Sequence, residues 1–187
     1  IHALKKILLP LASAFLAYQL YQVILVLWIQ QGVNFHLGLD FSIAFLIALF
    51  ATGIFAFTGF AYPTSRLIGS SYYVLKNTKR LKFWYKIMGM SYFRKLLMLF
   101  FWGTKKNRKK YFNGTRTGID NFIYQTHQSE FGHLGALVLI VLINLYTWHL
   151  AYYSISIFLI IINTISNLYP IILQRHHRIR LEKFTQL

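Results

Sequence analysis

Residues 155–180 read ISIFLIIINTISNLYPIILQRHHRIR, an apolar run that ends in a cluster of cations and imidazoles. The part from 155 to 173 is long and apolar enough to predict a membrane-spanning helix. At 100° per residue, Asn163, Asn167 and Gln174 fall on one polar stripe of that helix. Polar groups are costly in hydrocarbon, so such a stripe faces a bundle interior or a hydrated cavity and indicates a functional site. The alternative is that the asparagines only join neighbouring helices.

Composition points to the same class of protein. Hydrophobic residues make up 56% of the 187 residues, and 20 Lys and Arg stand against 4 Asp and Glu. A chain this apolar is an integral membrane protein. A nucleic-acid binder is excluded because the cations lie at the ends and centre of the chain, between long apolar runs. The absence of cysteine excludes a disulfide framework and a thiol nucleophile.

The predicted fold is an all-α integral membrane protein that forms a single membrane domain over residues 1–187. Four apolar runs predict spanning helices, because each approaches the roughly 20 residues that a membrane helix needs. These runs are residues 7–29, 41–62, 132–150 and 155–173. The second is rich in Gly and Ala, which suits close helix packing.

Charge alternates along the chain. Lys and Arg number 2 before the first span, 0 between the first and second, 14 between the second and third, 0 between the third and fourth, and 4 after the fourth. The positive-inside rule therefore predicts that both termini and the central region are cytoplasmic.

The central basic region, 63–131, contains a short apolar stretch at residues 92–102. That stretch is too short to span and is flanked by cations, which predicts an amphipathic helix lying in the cytoplasmic-side membrane interface. The polybasic run at 105–110 is either a plain cytoplasmic loop or a segment that attracts anionic lipid or a phosphate-bearing substrate.

The candidate chemistry lies where spans three and four meet the cytoplasmic face. Glu130 and His133 are three residues apart and therefore share one helix face. Antiparallel pairing of the spans brings them to the depth of Arg175, Arg178 and Arg180. We predict that the carboxylate orients His133 as a general base and that the arginines hold an anionic or carbonyl-bearing substrate. A purely structural ion pair is the alternative.

These residues carry a resemblance. Glu-x-x-His at 130–133, followed by Asn-x-Tyr-Pro-Ile-x-x-Gln-Arg-x-x-Arg-x-Arg at 167–180, resembles the glycosyl-4,4'-diaponeurosporenoate acyltransferase family over residues 82–183. The resemblance implies a bacterial inner-membrane protein that transfers a fatty acyl group to a sugar hydroxyl of a glycosylated carotenoid or similar glycolipid. The catalytic residues it implies are Glu130 and His133, and the substrate-binding residues are Asn167, Tyr169, Gln174, Arg175, Arg178 and Arg180. One departure is His176-His177, where the family often has Tyr-Asn.

Direct acyl transfer requires neither a Ser nor a Cys nucleophile. A histidine takes the proton from the acceptor hydroxyl as it attacks the acyl carbonyl. We expect no cofactor and no metal, with acyl-CoA or another acyl donor as co-substrate, its phosphates held by Arg175, Arg178 and Arg180. The expected partners are membrane lipid and a lipophilic substrate, with no nucleic acid.

Two further hypotheses remain open. A metal site for hydroxylation or desaturation would use imidazole and carboxylate ligands; its candidates are His127, His133, His176, His177 and Glu130. Alternatively, the chain is a non-catalytic accessory subunit of a larger membrane complex. Its intramembrane amides would then be helix-association contacts: Gln19, Gln22, Asn144 and Asn163.

Overall fold

Helix is the only regular secondary structure in the described residues, 2–100 and 116–185 of the computed structural model. The first half contains α1 (His2–Ile29), α2 (Leu37–Ala61), a 3₁₀ turn (Thr64–Leu67), α3 (Ser70–Tyr73), α4 (Thr78–Ile87) and α5 (Met90–Phe100). The second half contains α6 (Arg116–His149), α7 (Tyr153–Asn163), a π-helical turn (Thr164–Leu168) and α8 (Tyr169–Thr185).

Four helical stretches are long and apolar enough to cross a membrane: Ala3–Ile29, Leu37–Ala61, Gly118–His149 and Tyr153–Leu181. The predicted all-α fold with four spanning helices is therefore confirmed. The last two stretches extend well beyond the predicted 132–150 and 155–173. Hydropathy detects only the apolar part of a helix, and the polar turns that flank it contain no proline that would stop it.

Residues Ile1–Thr64 and Phe131–Leu168 form one compact unit, here called the apolar unit. Three small residues of α2, Ala44, Ala48 and Ala51, are buried on one helix face. Small side chains let helices approach closely, as the composition of this span predicted. The buried core of the unit comprises Leu20, Leu27, Ala44, Ile47, Ala48, Ala51, Ile140, Ile143, Tyr152, Ile155 and Leu159.

Several hydroxyl groups within the apolar unit bond to each other or to backbone carbonyls. The Tyr152 hydroxyl donates to the carbonyls of Leu27 and Gln30, at 3.0 and 2.6 Å. These carbonyls lie at the end of α1, where helical partners run out. The hydroxyls of Thr147 and Ser156 lie 2.8 Å apart. Hydrocarbon offers no alternative partner, so these contacts satisfy the groups locally.

Residues Ser65–Glu130 and Tyr169–Leu187 form the second compact unit, here called the basic unit. Its core contains Tyr85, Met90 and Leu173, with Phe93 and Tyr169 packed against them. Between the second span and residue 116 the sequence predicted one helix, at 92–102, whereas the structure forms α3, α4 and α5 there. The prediction of a single domain over the whole chain stays a prediction.

Helix α5 corresponds to the amphipathic helix predicted at 92–102. Phe93 and Leu97 pack toward the core, while Tyr92, Leu96 and Leu99 are exposed. A helix that lies in a membrane interface can pack one apolar face on the protein and present another to lipid. Residues 101 and 102 and the polybasic run at 105–110 lie outside the described residues.

Gly135 tests how closely α6 packs within the apolar unit. A Cβ atom added there would lie 2.3 Å from Cε1 of Phe55, so Gly135→Ala forces the ring to move. We expect a loss of about 1–3 kcal/mol of stability, measured by thermal unfolding in detergent. Gly132→Ala is the matched control, because the same added atom meets nothing closer than 3.9 Å. Equal melting temperatures for the two variants would contradict this packing.

Candidate functional site

A buried carboxylate organises the candidate site of the basic unit. Glu130 of α6 has no exposed side-chain surface, and two guanidinium groups of α8 reach it. Arg175 donates through Nε to Oε1 at 2.7 Å, and Arg178 donates through Nη2 to Oε2. Arg178 also donates to the Thr126 hydroxyl at 3.4 Å. Because Arg175 and Arg178 are three residues apart, one face of α8 supplies both cations.

Two tyrosines of α3 lie over these cations. The Tyr72 ring lies 5.1 Å from the Arg175 guanidinium carbon, and the Tyr73 ring lies 5.8 Å from that of Arg178. Such cation–π contacts are attractive, particularly where water is excluded. Sequence reasoning missed both tyrosines, since only the folding of α3 brings them to the arginines.

The tyrosine hydroxyls stay protonated and neutral at physiological pH. Burial, together with the nearby Glu130 charge, raises the pKa of Tyr72 and raises that of Tyr73 to about 12. The Tyr73 hydroxyl donates to the backbone carbonyl of Ser65 at 3.1 Å. These groups can therefore donate hydrogen bonds but do not serve as bases.

The cluster extends along α6 and α8 through two further contacts. The His127 ring stacks on Tyr73, with ring centres 4.1 Å apart. Gln174 donates from Nε2 to the Ser129 hydroxyl at 3.1 Å. In this arrangement both Glu130 oxygens accept from guanidinium groups, and removing one member would leave an uncompensated buried charge. The geometry accounts for a structural role of Glu130, and its catalytic role stays a prediction.

The apolar unit holds a separate polar network around His133. The His133 Nδ1 atom lies 3.1 Å from Oδ1 of Asn167. Asn167 donates from Nδ2 to Oδ1 of Asn163 at 2.9 Å, and Asn163 donates from Nδ2 to the Leu137 carbonyl at 3.2 Å. The Thr52 hydroxyl lies 3.4 Å from both polar atoms of the Asn167 amide.

This network is directional, and it determines which nitrogen of His133 carries the proton. The Leu137 carbonyl can only accept, so Asn163 must present its NH₂ group there and its oxygen to Asn167. Asn167 then presents its NH₂ to Asn163 and its oxygen to His133, which must donate from Nδ1. In the neutral imidazole Nε2 therefore holds the lone pair.

The π-helical turn carries the central member of this network. Asn167 lies within Thr164–Leu168 and is fully buried. The Thr164 hydroxyl donates to the Ile160 carbonyl at 2.8 Å, which supports the backbone as its hydrogen-bond pattern changes. Single π-helical turns are rare and are frequently found at functional sites.

The predicted residues thus fall into four groups. Glu130, Arg175 and Arg178 come together in the basic unit, and His133 and Asn167 bond in the apolar unit. Tyr169 and Gln174 make internal contacts, the former edge-to-face with Phe93 at 5.2 Å. Arg180 is exposed. The hydrogen-bond partner found for His133 Nδ1 is Asn167, which the sequence predicted only as a substrate ligand.

The imidazoles proposed as metal ligands have other contacts. His127 stacks on Tyr73, His176 on Tyr85, and His177 meets Phe122 edge-on. Among the described residues, no three His, Asp or Glu side chains come close enough to hold a metal ion. The metal-site hypothesis therefore has no ligand set in this part of the chain.

Four apolar helices define a small multi-pass helical membrane protein. A family model described as glycosyl-4,4'-diaponeurosporenoate acyltransferase matches residues 69–187, more than half of the chain. The protein belongs to this family, which confirms the resemblance. No curated protein and no solved structure matched the chain.

Glu130→Gln tests the buried ion pairs. The variant keeps the shape of the side chain but leaves two guanidinium groups beside a neutral amide, and we expect roughly 3–5 kcal/mol of destabilisation. Asp120→Asn removes a carboxylate from an exposed position on the same helix and should change stability by less than about 0.5 kcal/mol. Thermal unfolding of the purified variants measures both. A Glu130→Gln protein as stable as Asp120→Asn would refute the structural role.

Proposed function

We propose that this protein transfers a fatty acyl group onto a hydroxyl of a glycosylated carotenoid or similar glycolipid in the bacterial cytoplasmic membrane. Membership of the acyltransferase family supports the reaction class. The observation that carries the mechanism is the bond between His133 Nδ1 and Asn167. It leaves the Nε2 lone pair of a neutral ring as the proton acceptor, in the same way that a triad carboxylate orients its histidine.

The chemistry follows from that lone pair. His133 Nε2 takes the proton of the acceptor hydroxyl while the hydroxyl oxygen bonds to the acyl carbonyl carbon. The bond from that carbon to the donor sulfur or oxygen then breaks, and the same proton passes from Nε2 to the leaving group. The acyl carbon is neither oxidised nor reduced. The only co-substrate is an acyl donor such as acyl-CoA, and no cofactor enters the reaction.

Asn163 and Asn167 are positioning residues in this mechanism. They keep the proton on Nδ1 of His133 and fix the orientation of its imidazole ring. A helical framework offers a rigid support for such a base. Lipid-soluble acceptors suit an apolar setting, because the acceptor can remain dissolved in the membrane while its sugar is acylated.

His133→Gln provides the test. The glutamine side chain is polar but does not act as a base at neutral pH, so we expect acyl transfer to fall by about 10²–10⁴-fold. Membranes containing the variant are supplied with a labelled acyl donor and a glycosylated carotenoid, and the labelled ester is quantified. His149→Gln, which removes an exposed imidazole from the same helix, should keep wild-type activity.

Full activity of His133→Gln would refute the mechanism. If no acyl ester forms in any membrane and the wild-type protein co-purifies at fixed stoichiometry with a larger complex, the accessory-subunit hypothesis replaces the proposed function.

The proposed topology places both termini in the cytoplasm, as the charge pattern favours. A green fluorescent protein fused after Leu187 should therefore fluoresce, and alkaline phosphatase fused after Gly32 should be active. Alkaline phosphatase fused after Lys76, in the basic unit, serves as the negative control. Active phosphatase at Lys76 would reverse the topology.

A further inference from the structure

The basic unit holds a second group of cations, which differs from the Glu130 pair. His176 and Arg180 are four residues apart and therefore share a face of α8. At 100° per residue, that face lies about 100° or more around the helix axis from the face that carries Arg175 and Arg178. Lys82, Arg94 and Arg180 lie close enough to His176 for their charges to act on it. Arg94 and Arg180 act in the same way on His177. These five residues are here called the cationic cluster: Lys82, Arg94, His176, His177 and Arg180.

Three helices assemble this cluster. Helices α4, α5 and α8 pack against one another within the basic unit. Tyr85 and Leu173 form part of their shared core. Lys82 is exposed, Arg94 is half-buried and Arg180 is exposed, so their charged ends remain accessible. The cluster is therefore a product of helix packing and not of a single basic segment.

Among the side chains that the structure describes, no carboxylate forms an ion pair with a cation of the cluster. Among the described side chains, the recorded ion pairs are those of Glu130 with Arg175 and Arg178. The nearby presence of like charges raises the free energy of the folded protein. A bound anion would reverse this cost, because Arg and Lys supply several donors to a single oxyanion.

Buried polar atoms without hydrogen-bond partners accompany the cluster. Within the described part of the chain, the Tyr85 hydroxyl, His176 Nδ1 and His177 Nε2 are buried and have no hydrogen-bond partner. The rings of Tyr85 and His176 stack, with centres 3.7 Å apart and planes inclined by 13°. Buried polar atoms are nearly always bonded in folded proteins, so these three atoms are available to a bound group.

We propose that the cationic cluster binds a phosphate group of the acyl donor. That the ligand is an acyl donor rests on the proposed function. Phosphate oxygens accept from the guanidinium, ammonium and imidazole groups of the cluster, and from a phenol such as that of Tyr85, which stacks on His176. Arg175 and Arg178 are engaged by Glu130, so Arg180 is the tail arginine that joins this site. Two sources share this chemistry: the phosphates of coenzyme A and the phosphodiester of a phospholipid headgroup.

The experiment measures binding to the full-length protein in nanodiscs. The soluble probes are coenzyme A and adenosine 3',5'-bisphosphate, titrated into phosphatidylcholine nanodiscs by calorimetry. The lipid probe is phosphatidylglycerol, whose enrichment around the purified protein is quantified by mass spectrometry. Binding of the soluble probes identifies a nucleotide thioester, and selective enrichment of phosphatidylglycerol identifies a phospholipid. Either result supports the site, provided that binding is lost when cations of the cluster are removed.

A matched pair of double variants tests that dependence. Lys82→Gln/Arg94→Gln removes two cations of the cluster, and we expect probe binding to weaken by about 100-fold, or about tenfold for each charged contact. Arg80→Gln/Lys95→Gln removes the same residue types from the same two helices, at positions whose charges are not among those acting on His176. It should bind within about twofold of wild type.

Thermal unfolding without ligand separates binding from folding. Loss of two mutually repelling charges should leave the melting temperature of Lys82→Gln/Arg94→Gln unchanged or higher, whereas a purely structural role predicts a decrease. The site is refuted if no probe binds, or if both double variants lose binding equally. Phosphate binding without any acyl transfer keeps the site and refutes the proposed function. Transfer from coenzyme A or phospholipid donors that is equally fast in both double variants refutes the site and keeps the function.

Discussion

A polar group placed within apolar helices must find its partners inside the protein, since hydrocarbon offers none. This constraint explains most of the contacts that distinguish this chain from a plain helical bundle. Glu130 has no exposed surface and is matched by Arg175 and Arg178. Asn163, Asn167 and His133 bond to one another and end on a backbone carbonyl. In each case a buried polar side chain has been matched to a group of complementary chemistry.

Helix α8 illustrates how one short basic segment can serve two purposes. Its Arg175 and Arg178 bind a carboxylate of α6, while His176 and Arg180 belong to a face that lies near Lys82 and Arg94. The division follows from the helical repeat, because residues three or four apart share a face and adjacent residues do not. Basic side chains in one sequence run therefore differ in whether their charge is already neutralised.

The sequence was sufficient for the class of protein and the four spanning helices, because both depend on long apolar runs that hydropathy detects directly. It also identified Glu130, His133, Arg175 and Arg178, since ionisable groups beside apolar spans stand out. It left their partners open, since an ion pair of Glu130 with the arginines was only the alternative and Asn167 was predicted as a substrate ligand. Glu130 and His133 were paired because they share a helix face, yet the observed partners are 45 and 34 residues away in the chain. Tyr72, Tyr73 and Thr52 carried no local signal, as only tertiary packing brings them to these networks.

The amide chain from Leu137 to His133 has a consequence for reading variation in this protein. Asparagine and aspartate have nearly the same shape, so exchanging them would ordinarily pass as conservative. An aspartate has no NH₂ group, however, and could accept at both ends of a link in which the asparagine accepts at one end and donates at the other. In such a chain the direction of each hydrogen bond fixes the direction of the next one. Natural exchange to aspartate at Asn163 or Asn167 would thus mark a change of chemistry, while leaving the outline of the side chain intact.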